Sequence, residues 1–332
     1  MSQTKPVPAI TAESETRKAY RTICSENPQI AISSKDWWLD SVCQNGEWDA
    51  AIVMKNNKPI AALPYYTERR GPLIIQRMPK LTQSFQLWLN YPSNISEHNR
   101  IDFEMEAVRE IVALLPKSHV VSFNIHHSLR NLLPFYWKGF SEAVRYTYVI
   151  DDIADLDGVF SRFNSAARNK IRKAEKIVKT RFTNDVSEFY AINKKTFDRQ
   201  GMKMPYSFGF IERHDQALLE RNARKIFTAV DDDNQIHSAL YLTWDQKSSY
   251  VHMVGEDPKL RTSGAGIKLI WDAIQYTRNE LKLNCLDFEG SMIQSVESVR
   301  RSCGGQQRTF SNISNRLFAA LHMARGVFRQ AK

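Results

Sequence analysis

Apolar positions in the second half of the chain switch repeatedly between the helical period and the strand period. Phe160, Phe163, Ala167, Ile171, Ala174 and Val178 recur at helical spacing, which predicts a helix over 157–179 with one buried stripe. Further helices are expected over 185–199 and 208–220. Apolar runs at 225–230, 236–244 and 249–254 follow, separated by Asp231–Gln235 and Asp245–Ser248. Turns rich in Asp and Asn between such runs predict hairpins. A helix carrying Ile267, Ile270, Trp271 and Ile274, a strand over 283–288, a short helix near 296–302 and a last strand over 308–313 complete the pattern.

The first half echoes this order. Ala51–Leu63 can be laid over Thr228–Leu240, so that Val53 meets Val230, Asn57 meets Asn234, and Ala62-Leu63 meets Ala239-Leu240. A helix over 100–115 and a strand over 120–125 follow. The expected fold is α/β (α+β): two copies of one unit, 1–150 and 151–332, with mixed central sheets flanked by helices. Along strand 249–254, alternation places Tyr250 and His252 on one face and Val251 and Met253 on the other.

With 332 residues the chain can bury a sizeable core. No apolar run is long enough to span a bilayer, and Met1–Thr16 lacks the apolar centre of an export signal, so a cytoplasmic protein is expected. Cys24, Cys43, Cys285 and Cys303 lack metal-ligand spacing and read as reduced thiols, with no metal site expected. Arg316–Lys332 reads as an amphipathic helix, docked on the core or touching the inner face of a membrane.

The net charge of +10 is concentrated. Arg162, Arg168, Lys170, Arg172, Lys173, Lys176, Lys179 and Arg181 crowd one segment against a single Glu175. Such a patch attracts phosphates, unless it is only a solvated helix face. One helix without interleaved aromatics and without a groove-reading motif argues against a DNA-binding protein.

Arg261-Thr262-Ser263-Gly264-Ala265-Gly266 opens the apolar helix that follows it. Glycines permit close backbone approach, and the unpaired amides of a helix start point at negative charge. Arg261, Thr262, Ser263, Gly264, Ala265 and Gly266 are therefore the candidate phosphate cradle. The first half has no counterpart, so the chemistry is expected in the second half or at the junction.

Two hairpins, Arg-x-x-Gly-x-Gly, helix and strand is the order of the GNAT acyltransferase core. With Arg168-Asn-Lys-Ile-Arg-Lys-Ala-Glu-Lys176, Thr196-Phe-Asp-Arg-Gln-Gly201, Leu286-Asp-Phe-Glu-Gly-Ser-Met292 and Cys303-Gly-Gly305, the chain resembles the FemAB-like, peptidoglycan-bridge branch of that superfamily from about Asp36 onward. The resemblance implies a duplicated GNAT-type fold and acyl transfer to an amine or hydroxyl of an envelope, polysaccharide or lipid-type precursor. FemAB proteins use aminoacyl-tRNA and some carry a coiled-coil arm. No arm is visible here and the phosphate loop is complete, which favours acyl-CoA (acetyl-CoA) as donor over tRNA. A non-catalytic envelope-assembly protein is the rival from another class.

On this footing Glu289, at a strand end, is the first choice of general base, followed by His252 and Tyr250, with Asp287 beside them. A hydrogen-bonded strand end for Asp287, a core histidine for His252 and a turn cap for Ser291 are the structural alternatives. A backbone N–H near Met253–Val254 would face the acyl carbonyl. Arg168, Arg172 and Lys176, at four-residue spacing, would hold an anionic acceptor, small or lipid-linked, with Tyr206 as a lid residue.

Overall fold

The computed structural model describes residues 13–290 and 292–318. Ser291 and nearly all of the segment Arg316–Lys332 lie outside the described residues. Helix α1 (Glu15–Glu26) begins where the Ser14 hydroxyl accepts from the Arg17 amide, and α2 (Asp36–Val42) follows. Strands β1 (Glu47–Lys55) and β2 (Lys58–Arg70) form a hairpin whose turn residues, Asn56 and Asn57, have φ of 51° and 59°. Asparagine tolerates the left-handed region that such a tight turn requires. The first half continues through β3 (Leu73–Arg77), β4 (Trp88–Leu89), α3 (Glu97–Leu114), β5 (Val120–Ile125), α4 (Leu133–Trp137) and β6 (Ser141–Ile150).

The second half opens with α5 (Leu156–Arg162) and α6 (Ser165–Ala174). The single helix expected over 157–179 is thus two helices. The Asn164 side chain accepts from the Ala167 amide at 2.8 Å and starts a new helix, while the apolar stripe continues across the break. Residues 179–183, expected in that helix, form β7 (Lys179–Thr183). Then come α7 (Val186–Arg199), α8 (Phe208–Leu219), β8 (Arg224–Val230), β9 (Ile236–Trp244), β10 (Ser249–Glu256) and α9 (Ala265–Asn279). Strand β11 (Leu286–Asp287), shorter than expected, α10 (Gln294–Ser302) and β12 (Gln306–Ser314) end the described fold.

All these strands join one mixed, 12-stranded sheet, ordered β1-β2-β3-β5-β12-β6-β11-β10-β9-β8-β7, with β4 on β2. Two separate sheets were expected; exchange of the last strands makes them one. β12, from the second half, pairs with β5 of the first, and β6, from the first, pairs with β11 of the second. The hairpin repeat is visible in register: a bulge falls between Val53 and Met54 in one copy and between Ala229 and Val230 in the other. Each copy also has one parallel pair, β3 with β5 and β10 with β11. In the first copy the buried Phe85 closes the end of that pair, bonded through its backbone to Asn124 and His126.

Helices α5, α6 and α9 cover one face of the second-half strands around Phe163, Ile171, Leu240, Ile270 and Phe288. The other face packs α7 and α8 over Tyr241 and Tyr250, together with Ile32, Trp38 and Val42 of the first half. Helix α8 is fixed there by a buried ion pair. Arg224 on β8 reaches Asp215 at 2.8 Å, and the Tyr241 hydroxyl donates to the same carboxylate at 2.6 Å. Arg224→Met would leave Asp215 buried without its cation, so a loss of about 3–5 kcal/mol is expected in denaturant unfolding.

Candidate active site

Strands β10 and β11 pair only at Ser249↔Leu286 and Tyr250↔Asp287, and then part. On the β10 side, a bulge against β9 lies between Val251 and Met253. It breaks the alternation expected here. Val251 joins the α9-side core, while Met253 packs with Tyr250 and Tyr206 on the opposite face. Met253 therefore does not share a face with Val251; the extra residue turns it over.

On the β11 side, Glu289 and Gly290 have φ of 51° and 50°. A Cβ at Gly290 would collide with the Tyr146 carbonyl, so glycine is required there by conformation and by space. Glu289 is a non-glycine residue in the left-handed region, which costs about 1–2 kcal/mol. Two interactions offset this: its amide donates to Asp287 Oδ1 at 2.8 Å, and its carboxylate meets His252 Nδ1 at 2.8 Å. His252 and Glu289, both candidates from the sequence, are thus brought together across the parting strands.

The proton positions follow from the partners. A carboxylate only accepts, so His252 Nδ1 carries the hydrogen and Nε2 presents a lone pair. That Nε2 is buried and has no partner among the described residues. Beside it lies His214 of α8, with ring centroids 5.8 Å apart, and Trp38 packs edge-on to both rings at 5.3 and 4.4 Å. The Ser41 hydroxyl donates to the Trp38 carbonyl at 2.6 Å, so His214 Nδ1 must donate to Ser41 Oγ at 2.8 Å. His214 Nε2 is then a second buried lone pair without a donor. Burial, with His252 adding to it, holds His214 well below the usual histidine range and keeps it neutral.

Asp287 is buried, and desolvation raises its pKa to about 6 against the opposing bonds from Thr147 and the Glu289 amide. Tyr250 takes a different place from the one expected. Its hydroxyl donates to Asp245 at 2.7 Å in the β9–β10 turn and not to the His252–Glu289 pair. Burial, then the Asp245 charge, pushes its pKa well up, so it is no base.

The glycine loop folds as its spacing predicts. Gly264 has φ of 83° and starts α9; a Cβ there would lie 2.6 Å from the Lys170 carbonyl, so α6 packs directly on the loop. Lys173 donates to the Thr262 carbonyl at 2.8 Å. Arg261 and Thr262 are exposed, whereas Ser263, Gly264, Ala265 and Gly266 are buried. The Gly264 amide bonds Arg261 O and the Ala265 amide bonds Ser263 Oγ. Glu256, at the end of β10, places its carboxylate where a Cβ on Gly266 would be. Burial raises its pKa while Arg261, Arg199 and Lys170 oppose the rise. A carboxylate ringed by cations thus already sits at the first turn of α9.

The basic residues divide. Arg168 donates to the carbonyls of Ser161 and Phe163 at 2.6 and 2.8 Å, tying α5 to α6. Arg172 and Lys176 are exposed, and Lys176 lies beyond the end of α6, so the expected row along one helix is cut short. Tyr206 is buried; its hydroxyl donates to Asn193 at 2.6 Å, and it lines an open groove of about 770 Å³ with Lys80, Lys194 and Lys203. The sequence reading missed Trp38, Ser41, His214, Asn193 and Glu256. One signal was present: His214 and Asp215 interrupt the apolar face Phe210, Ile211, Leu218 of a buried helix.

Residues 161–292 match the family model of the acetyltransferase (GNAT) domain. No curated protein sequence matches the chain. Among solved structures, FemX superposes with a TM-score of 0.66 at 12% identity, covering 94% of this chain and 98% of its own. L-PGS from Bacillus licheniformis gives 0.55 at 11%, covering 91% and 92%. A tandem GNAT protein from the clavulanic acid biosynthesis pathway gives 0.52 at 11%, covering 91% and 95%. The expected resemblance to the FemAB-like branch and its GNAT-type fold is borne out by these matches.

Glu256→Gln keeps the volume and removes the competing charge. It is expected to tighten coenzyme A binding about tenfold by calorimetry, the scale of one removed like-charge contact in a partly buried site. In the wild-type chain Glu256 becomes neutral as pH falls, so affinity should rise toward acid pH; in Glu256→Gln that pH dependence should disappear.

Proposed function

We propose that this chain moves an acyl group from an acyl-CoA-type thioester to an amine or hydroxyl of a small or lipid-linked acceptor from cell-envelope or polysaccharide synthesis. Residues 151–332 form the unit that carries the chemistry and residues 1–150 the unit without a phosphate loop. The observation that carries the reading is the His252–Glu289 pair at 2.8 Å, bridging the only end of the β10–β11 pairing that opens beyond Tyr250 and Asp287.

Glu289 fixes the His252 ring with Nδ1 protonated, leaving Nε2 to accept a proton from the nucleophile. The acceptor atom bonds to the acyl carbon as the C–S bond breaks; its proton passes to His252, and the departing thiolate is protonated in turn. On the β11-facing edge of β10, Asn193 takes the Val254 carbonyl and Thr196 takes the Glu256 amide. The Val254 amide shares that edge by strand alternation and is the donor for the developing oxyanion. Bare glycine backbone and the cations Arg261, Arg199 and Lys170 fit a diphosphate, with Glu256 as its competitor. Arg172 and Lys176 are free to meet an anionic acceptor at the surface.

A second reading, aminoacyl-tRNA as donor, is favoured by one observation: the Glu256 carboxylate occupies the first turn of α9 while basic side chains of α6 remain exposed. Among the described residues no helix is long and apolar enough to cross a membrane.

Thermal shift separates the donors. Coenzyme A at one hundred times its Kd should stabilise the chain by about 2.7 kcal/mol, and Gly264→Asp should abolish the shift; a response to charged tRNA alone would replace the first reading by the second. His252→Gln and Glu289→Gln should each lower kcat about 10²–10⁴-fold with coenzyme A binding retained. Unchanged kcat in both would remove the base from His252.

A further inference from the structure

Between the two halves lies a cavity of about 220 Å³. Gln29, His126 and His127 line it from the first half, and Asp245, Tyr250 and Asp287 from the second. Tyr250 and Asp287 are the last paired residues before β10 and β11 part, so the cavity stands at the apex of the split. The volume admits a group of a few heavy atoms, about seven waters' worth at liquid density.

Its two carboxylates differ. Asp245 is saturated by the Tyr250 hydroxyl, the Ile32 amide, and the amides of Lys247 and Ser248. Asp287 is not. Its Oδ1 accepts from the Thr147 hydroxyl at 2.6 Å and the Glu289 amide at 2.8 Å. The nearest nitrogen to Oδ2 is His127 Nε2 at 3.9 Å, beyond hydrogen-bond reach.

The surrounding charges leave Asp287 without a cation of its own. Burial lowers the pKa of His126 to about 3 and of His127 to about 4, so both imidazoles are neutral at pH 7. Arg308 is engaged by Asp151 at 2.5 Å, and Lys247 is exposed. Arg300, on α10, acts on Asp287 and Glu289 together, one cation for two carboxylates. A buried acceptor lacking a donor costs about 1–3 kcal/mol, more when charged. A ligand bringing both a positive charge and N–H donors removes that cost; a hydroxyl brings only the donor, and a carboxylate adds repulsion.

We infer that this cavity is the acceptor site and that it takes a primary amine, held as its ammonium on Asp287 Oδ2. The inference rests on the acyl-transfer reading and names the substrate class for it: a short primary amine, or the amino end of a larger molecule entering past Gln29. The donor then approaches along the open end of the split, the acceptor from its apex.

The test titrates the full chain with propylamine, propanol and propionate, without donor, by ligand-observed NMR. Propylamine should bind saturably and the other two should not. Affinity should fall at least tenfold in Asp287→Asn and in Gln29→Trp, which plugs the mouth from an exposed position. If Asp287→Asn fails to fold, Gln29→Trp decides. Equal binding of the alcohol, or wild-type affinity in Gln29→Trp, overturns the site. Propylamine binding without transfer from any thioester would sink the acyl-transfer reading and leave the site standing. Transfer to amines with KM unaltered in the plugged variant would sink the site and leave that reading.

Discussion

Two parallel strands that stop pairing inside a sheet leave backbone groups that neither water nor a neighbouring strand satisfies. The parting of β10 and β11 imposes this on the second half, and the surrounding chain answers it. Asn193 and Thr196 of α7 bind the Val254 carbonyl and the Glu256 amide, and α7 can approach because a Cβ on Gly255 would meet the Asn193 backbone at 2.6 Å. On the other side, Phe288 bonds back to Tyr148 and the chain leaves through left-handed Glu289 and Gly290. The His252–Glu289 pair closes the gap between them. The first half meets the same problem differently, by laying Phe85 against β5, and so keeps no opening for a substrate.

The strand exchange gives this opening its walls from both halves. Because β12 sits between β5 and β6, the two copies cannot be drawn apart without breaking two antiparallel pairings. Helix α2 of the first half can therefore hold Trp38 and Ser41 against His214 of the second. That contact buries two imidazole lone pairs without donors. A core selected for stability alone would fill such a place with apolar side chains, since an unsatisfied buried acceptor only costs. Two of them beside a strained Glu289 mark a place where chemistry has been given precedence over packing.

Much of the fold was legible in the sequence because periodicity reports burial directly. The stripe Phe163, Ala167, Ile171, Ala174 is buried as expected, and so are Ala62-Leu63 and their counterparts Ala239-Leu240. What stayed hidden depended on single polar bonds or on partners distant along the chain. The Asn164 cap that divides one helix into two is such a bond, and the bulge that turns Met253 over leaves no mark on hydropathy. His252 and Glu289 were found because each stands next to the strand split that the motif order implied. Ser41 lies 173 residues from His214, and no local spacing can join them.

The glycine loop shows why a motif and its chemistry are separate questions. Its backbone adopts the left-handed Gly264 and the helix start that the spacing demands, and cations gather round it. Yet the first turn already faces a carboxylate of the same chain. Glu256 satisfies the positive end of α9 and the nearby Arg261, Arg199 and Lys170, so the folded chain is not left with an uncompensated basic pocket. An incoming diphosphate carries more charge than a single carboxylate and can displace it, but only by the difference between the two. Donor affinity at this loop is therefore set by a competition inside the chain, and the glycines alone do not fix it.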